Sequence, residues 1–167
     1  MRPLQAILTD AKSIAAQYED VTGRPLGLTD EIGECEAAAR LGLSLAPAHE
    51  PYCDALDLHS SRLLIRSRRV TPERRERNQR VPAVRRRIGW DAVLLVLLDE
   101  RYDAIEIWRA ERLAVLDALD PAASRRPRRA LNVSQFKSIG RLVWSDAGRW
   151  THPPPLRDYR FGERRRT

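Results

Sequence analysis

The chain is poor in the residues that mark several familiar protein classes. Cysteine appears only at Cys35 and Cys53, with no Cys-x-x-Cys pair. No disulfide framework or thiolate zinc site is therefore expected, and both residues read as small buried apolar groups. The three histidines, His49, His59 and His152, stand apart in loop-like surroundings and form no metal-binding cluster. No Gly-rich phosphate loop is present, which argues against a nucleotide-driven enzyme, and no Gly-x-Ser-x-Gly elbow supports acyl transfer. The longest apolar run, residues 92–98, is too short to span a bilayer. The amino terminus lacks a basic region followed by an apolar run, so no secretory signal is read and a cytoplasmic protein without membrane association is expected. Lysine is nearly absent too: only Lys12 and Lys137 stand among 30 basic residues.

What is present suits a single folded domain. The chain has 167 residues, 43% hydrophobic and 32% charged, enough to bury roughly two-thirds of its unfolded surface. Its formal net charge is +7, and the sequence pI is about 10.2. The charge is unevenly spread. Acidic residues dominate from Asp10 to Asp57, whereas Arg62 to Arg87 is strongly basic. A basic field attracts phosphate and releases counterions on binding, so the expected partner is a polyanion, nucleic acid before membrane.

Hydrophobic periodicity predicts the elements. Leu4, Ile7, Leu8, Ala11, Ile14, Ala15, Tyr18 and Val21 recur at helical spacing and predict a helix over 3–21. A second helix is predicted over 30–41, with Thr29 as N-cap and Gly42 as stop; Ile32, Cys35, Ala39 and Leu43 define its apolar arc. Residues 43–51 read as a connection, and 52–58 and 62–70 as two strands around a tight turn. The segment "TPERRERNQRVPAVRRR", 71–87, reads either as a solvated loop or as a phosphate-contacting arm. "WDAVLLVLLD" predicts a strand buried on both faces, and "YDAIEIW" its antiparallel hairpin partner. A short helix over 110–119, a basic linker, a helical turn over 132–138 and a strand in "IGRLVW" complete a mixed α/β domain over 1–145. Residues 146–167 form a Pro/Arg-rich tail. Trp90, Trp108 and Trp144 are assigned to packing, while Trp150 in the tail is left for a base or Pro153.

One constellation carries chemistry. Phosphodiester hydrolysis uses Mg²⁺ held by one or two carboxylates, with a nearby cation to position water or offset charge. Asp54 at the head of a hairpin strand, Glu34 or Glu36 on the second helix, and Arg66 on the neighbouring strand supply those residue types.

The blocks "IGECEAAARLGLSL", "YCDALD", "LLIRSRRV", "WDAVLLVLLDERYDAIEIW" and "FKSIGRLVW", in this order, resemble a little-characterised bacterial branch of the PD-(D/E)xK superfamily, the restriction-endonuclease-like fold. The resemblance implies a central mixed β-sheet flanked by helices. It also implies a catalytic acid on the first core helix, matched by Glu34, and an Asp at the central hairpin, matched by Asp54. Mg²⁺, with Mn²⁺ as a substitute, would lie between these two. Leu64 falls where the pattern has Glu or Gln, and Arg66 where it has Lys. Leucine cannot ligate a metal, and arginine keeps the charge but does not accept a proton near neutral pH; Asp57 and Glu36 are the acids available as replacements. The expected nucleic-acid contacts, to double-stranded DNA first, are Arg68, Arg69, Arg74, Arg75, Arg85, Arg86, Arg87, Lys137 and Arg141. The functions that follow are a Mg²⁺-dependent DNA phosphodiesterase, an inactive nucleic-acid-binding member of the fold, or an inhibitory subunit whose basic face meets an acidic protein. Homo-oligomerisation stays open.

Overall fold

The structure, a computed structural model, describes residues 3–47, 50–70, 79–84, 89–120 and 130–146. Among them lie four helices and a six-stranded mixed sheet of order β1-β2-β3-β4-β5-β6. The strands are β1 (Ser44–Leu45), β2 (Ala55–Leu56), β3 (Arg62–Arg69), β4 (Ala92–Leu98), β5 (Ala104–Glu111) and β6 (Arg141–Ser145). Only β3 and β4 run parallel; the other neighbours are antiparallel. Helices α1 (Leu4–Thr22) and α2 (Thr29–Leu41) precede β1, while α3 (Arg112–Leu119) and α4 (Val133–Ile139) separate β5 from β6.

Strand alternation divides the core into two layers. Leu63 and Ile65 of β3 join Leu94, Val96 and Leu98 of β4 in a cluster with Leu8, Ala15, Ile32 and Ala37 from α1 and α2. Leu64 joins Val93, Leu95 and Leu97 on the other face, against Val115, Leu119, Val133 and Phe136 from α3 and α4. Every side chain of β4 is buried, as its unbroken apolar run predicted for a strand covered on both faces. α4 starts with a capping box: Asn132 accepts from the Gln135 N–H, and the Gln135 side chain returns the bond to the Asn132 N–H.

Several expectations need correction. Residues 44–45, read as part of a connection, form β1. The strand expected over 52–58 shrinks to β2; on one side of it the Asp54 carboxylate accepts from the Ile65 N–H, and on the other Asp57 closes the turn by accepting from the N–H groups of His59 and Ser61. Thr29 does not cap α2; Leu28 holds that position, without a side-chain bond. The arc through Cys35 and Ala39 is also displaced, since the buried face of α2 runs through Ile32, Gly33, Glu36 and Ala37. Gly33 sets this rotation. A Cβ there would lie 1.8 Å from Ser67 Oγ, so only glycine lets α2 approach β3 this closely.

Within the predicted arm, the described part is anchored. Val81 is buried, its N–H donates to Leu131 O, and Arg80 bridges to Asn132. Trp90 is buried with the Arg112 guanidinium over its ring, and Trp108 and Trp144 lie half-buried under Lys137 and Arg40. Trp150 lies outside the described residues. No helix among the described residues is long and apolar enough to cross a membrane.

Candidate functional site: an ion pair on the open side of β3

β3 is eight residues long, but β2 pairs only with Leu63 and Arg62. Beyond Leu63, the N–H groups on that side have no strand to meet. Buried backbone donors need partners, and two carboxylates supply them. Asp54 Oδ2 accepts from the Ile65 N–H at 2.7 Å, and Asp30 Oδ1 accepts from the Ser67 N–H at 3.2 Å. The Asp54 backbone N–H donates to Leu63 O, which fixes the carboxylate beside the strand.

Arg66 completes the arrangement. Its Nη1 donates to the same Asp54 Oδ2 at 2.9 Å and also to its own neighbour Ile65 O, so the guanidinium lies along the open side of β3. Both side chains are mostly covered, 17% and 25% exposed, which makes this charge-assisted bond stronger than a surface pair. Glu34, one residue after the Gly33 contact, faces the pair. Desolvation pushes its carboxyl up to about 7, helped by the negative charges of Asp54, Glu31 and Asp30 and opposed by Arg66. The structure therefore brings Glu34, Asp54 and Arg66 together around one strand side, joined by Asp30, which was not among the expected site residues. Its sole sequence signal was an acidic residue in the first turn of α2.

The other acids are committed elsewhere. Glu36, 2% exposed, binds Lys12 at 2.7 Å and Arg40, and Lys12 reaches on to Asp103 at 2.9 Å, tying α1, α2 and the β4–β5 turn together. Asp57 binds Arg109 at 2.9 Å. Burial alone would raise its pKa, but the bonds from Arg109, Ser61 and His59 hold it down to about 2. Neither acid replaces the donor missing at Leu64, whose side chain is buried in the α3–α4 layer.

These positions decide how magnesium would fit. Asp54 Oδ2 is filled by a guanidinium and an N–H, Leu64 offers no oxygen, and Glu34 holds its proton to near neutrality. Among the described residues, no group of three or more His, Cys, Asp or Glu is placed to hold a metal. The arrangement does not fit a resident Mg²⁺, because Arg66 already supplies the positive charge beside Asp54.

The proposed nucleic-acid contacts divide similarly. Arg69 pairs with Glu19 and the Tyr102 hydroxyl, Arg68 donates to Arg80 O, and Lys137 binds Glu106 at 2.6 Å. Arg141 is exposed at the start of β6. Arg74, Arg75, Arg85, Arg86 and Arg87 lie outside the described residues. The charge inventory follows the same line. The described residues hold 13 Lys and Arg against 19 Asp and Glu, a formal charge of −6, so the remaining residues carry +13. Both cysteines are free, and burial raises their thiol pKa values.

Neither the models of known protein families nor the curated proteins give a match to this chain.

Proposed function

We propose that the protein is a non-hydrolysing, DNA-binding domain of restriction-endonuclease-like build, in which an internal ion pair replaces the metal of a nuclease-type site. The observation that carries this reading is Arg66 bound to Asp54 with Glu34 beside it, at the place where the resemblance puts two metal-binding acids and a lysine. The antiparallel run β1-β2-β3 followed by a parallel β4 supports the same framework. The polyanion partner is supported by the division of charge: the residues outside the described body carry a net +13, while the body is acidic. Arginine-rich segments attached to an acidic body bind phosphates through the segments and hold the body off the duplex.

A second reading, a Mg²⁺-dependent phosphodiesterase, is favoured by one observation. Glu34 titrates at about 7, which suits a general acid or base at neutral pH. One pair of assays separates the two. Duplex DNA affinity, measured by fluorescence anisotropy, should fall about tenfold or more between about 50 and 200 mM salt, and supercoiled plasmid should stay intact in Mg²⁺ or Mn²⁺. Nicking that Asp54→Ala abolishes would replace the first reading with the second. Affinity indifferent to salt would remove nucleic acid from both.

A further inference from the structure

Helix α1 carries eight apolar residues at helical spacing, yet only Leu8 and Ala15 are buried in the protein. Leu4, Ile7, Ile14, Tyr18 and Val21 are exposed by 58, 48, 57, 41 and 86%, and Ala11 is half-covered between them. The outward positions are 4, 7, 11, 14, 18 and 21. Their spacing alternates three and four without a break, which is the a/d repeat of a helix that packs against another helix. A helix that only covered its own sheet would turn this face inward. Instead α1 meets the body along an adjacent line, through Leu8, Ala15, Lys12 and Glu19, where Lys12 binds Glu36 and Glu19 binds Arg69.

We propose that this stripe is a homodimer seam, occupied by α1 of a second copy of the chain in antiparallel register. Two observations select that occupant. First, a two-fold centred between Ala11 and Ile14 sets Leu4 against Val21, Ile7 against Tyr18 and Ala11 against Ile14. Every apolar member meets another, and the one small residue meets a large one. Second, the area reaches what a specific dimer needs. The exposed fractions amount to at most about 500 Å² per copy, hence at most about 1,000 Å² for the pair from these side chains alone, which reaches the threshold of a specific interface.

The test uses the full chain in sedimentation velocity over about 1–100 μM. A dimer is expected, and Ile14→Glu and Ile7→Glu should each weaken it at least about 100-fold. Because both side chains are exposed in the single chain, the far-UV circular dichroism should stay as in the parent, and the melting temperature should lose only the concentration-dependent part that dimerisation adds. Register is read by cysteine: Leu4→Cys with Val21→Cys in one chain should give a disulfide-linked dimer, and Leu4→Cys alone should not. Should either glutamate variant unfold the chain, Leu4→Ala and Val21→Ala provide the same reading at smaller amplitude. A chain monomeric throughout the range overturns the proposal, whether or not a different protein later fills the stripe. So does a dimer indifferent to both glutamate variants, while cross-linking of Leu4→Cys alone would overturn the antiparallel register.

Discussion

Replacing Glu34 by glutamine isolates the electrostatics of the candidate site. In the folded chain this carboxyl titrates at about 7 against an ordinary value of 4.5, through desolvation first and then the charges of Asp54, Glu31 and Asp30. The folded state therefore holds a proton that the unfolded chain releases between these two values. Stability falls as pH rises through this window and levels off above it. Integrating the shift gives an upper limit of about 3 kcal/mol, and partial exposure reduces it to about 1.5 kcal/mol. Glu34→Gln is neutral at every pH and nearly the same shape. Near pH 4.5 it should match the parent. Its advantage should grow to about 1.5 kcal/mol by about pH 8, or about 3–6 °C in melting temperature. Urea unfolding from about pH 4.5 to 8.5 measures this, and groups common to both proteins cancel in the difference. A difference independent of pH would refute the placement of Glu34 against Asp54.

Four further outcomes test other parts of the molecule. Asp54→Asn removes a negative neighbour of Glu34, so the Glu34 carboxyl should titrate below 7 when followed by carbon-13 NMR, unless the two groups are not close. Gly33→Ala places a Cβ 1.8 Å from Ser67 Oγ; overpacking of about 3 kcal/mol, less about 1 kcal/mol of helix propensity, should leave a net loss of about 2 kcal/mol that Ser67→Gly partly restores. Lys12→Met leaves the 2%-exposed Glu36 with Arg40 at 3.4 Å in place of its shorter pair and should cost about 2 kcal/mol, reduced when Glu36→Gln is added, whereas additive losses would deny their coupling. Arg109→Ala frees Asp57, which titrates at about 2 against an ordinary 3.8. The stability from that depressed value is present above 3.8 and lost as pH falls toward 2, so the variant should unfold at higher pH in an acid titration followed by circular dichroism.

Long periodic elements were legible in the sequence because their patterns report burial directly. The unbroken apolar run of β4 and the alternation of β5 both fall where the pattern placed them. Two-residue strands carry too few positions to alternate, so β1 was missed and β2 overextended. The apolar residues of α1 predicted the helix but not its orientation, since an arc from Leu4 to Val21 has room for two contact lines. Charge was the hardest quantity to read. Arg69 and Lys137 counted toward a basic surface, yet each is paired with a carboxylate from another element. At the site, the order of sequence blocks pointed to Glu34, Asp54 and Arg66. The role of Asp30 depends on an unpaired N–H that appears only once β2 is known to begin at Ala55.

The open side of β3 has a bearing on solubility that is separate from any ligand. A strand with free N–H groups is a template on which another chain can add, the first step toward fibrils. Here two successive outward donors, of Ile65 and Ser67, are already taken by aspartates, and the Arg66 guanidinium covers the carbonyl between them. An incoming strand would have to displace charge-assisted bonds and bury the displaced charges. Losing Asp30 and Asp54 together would lift that barrier, so such a variant should reveal itself first in thioflavin-positive aggregates from a chain that still folds.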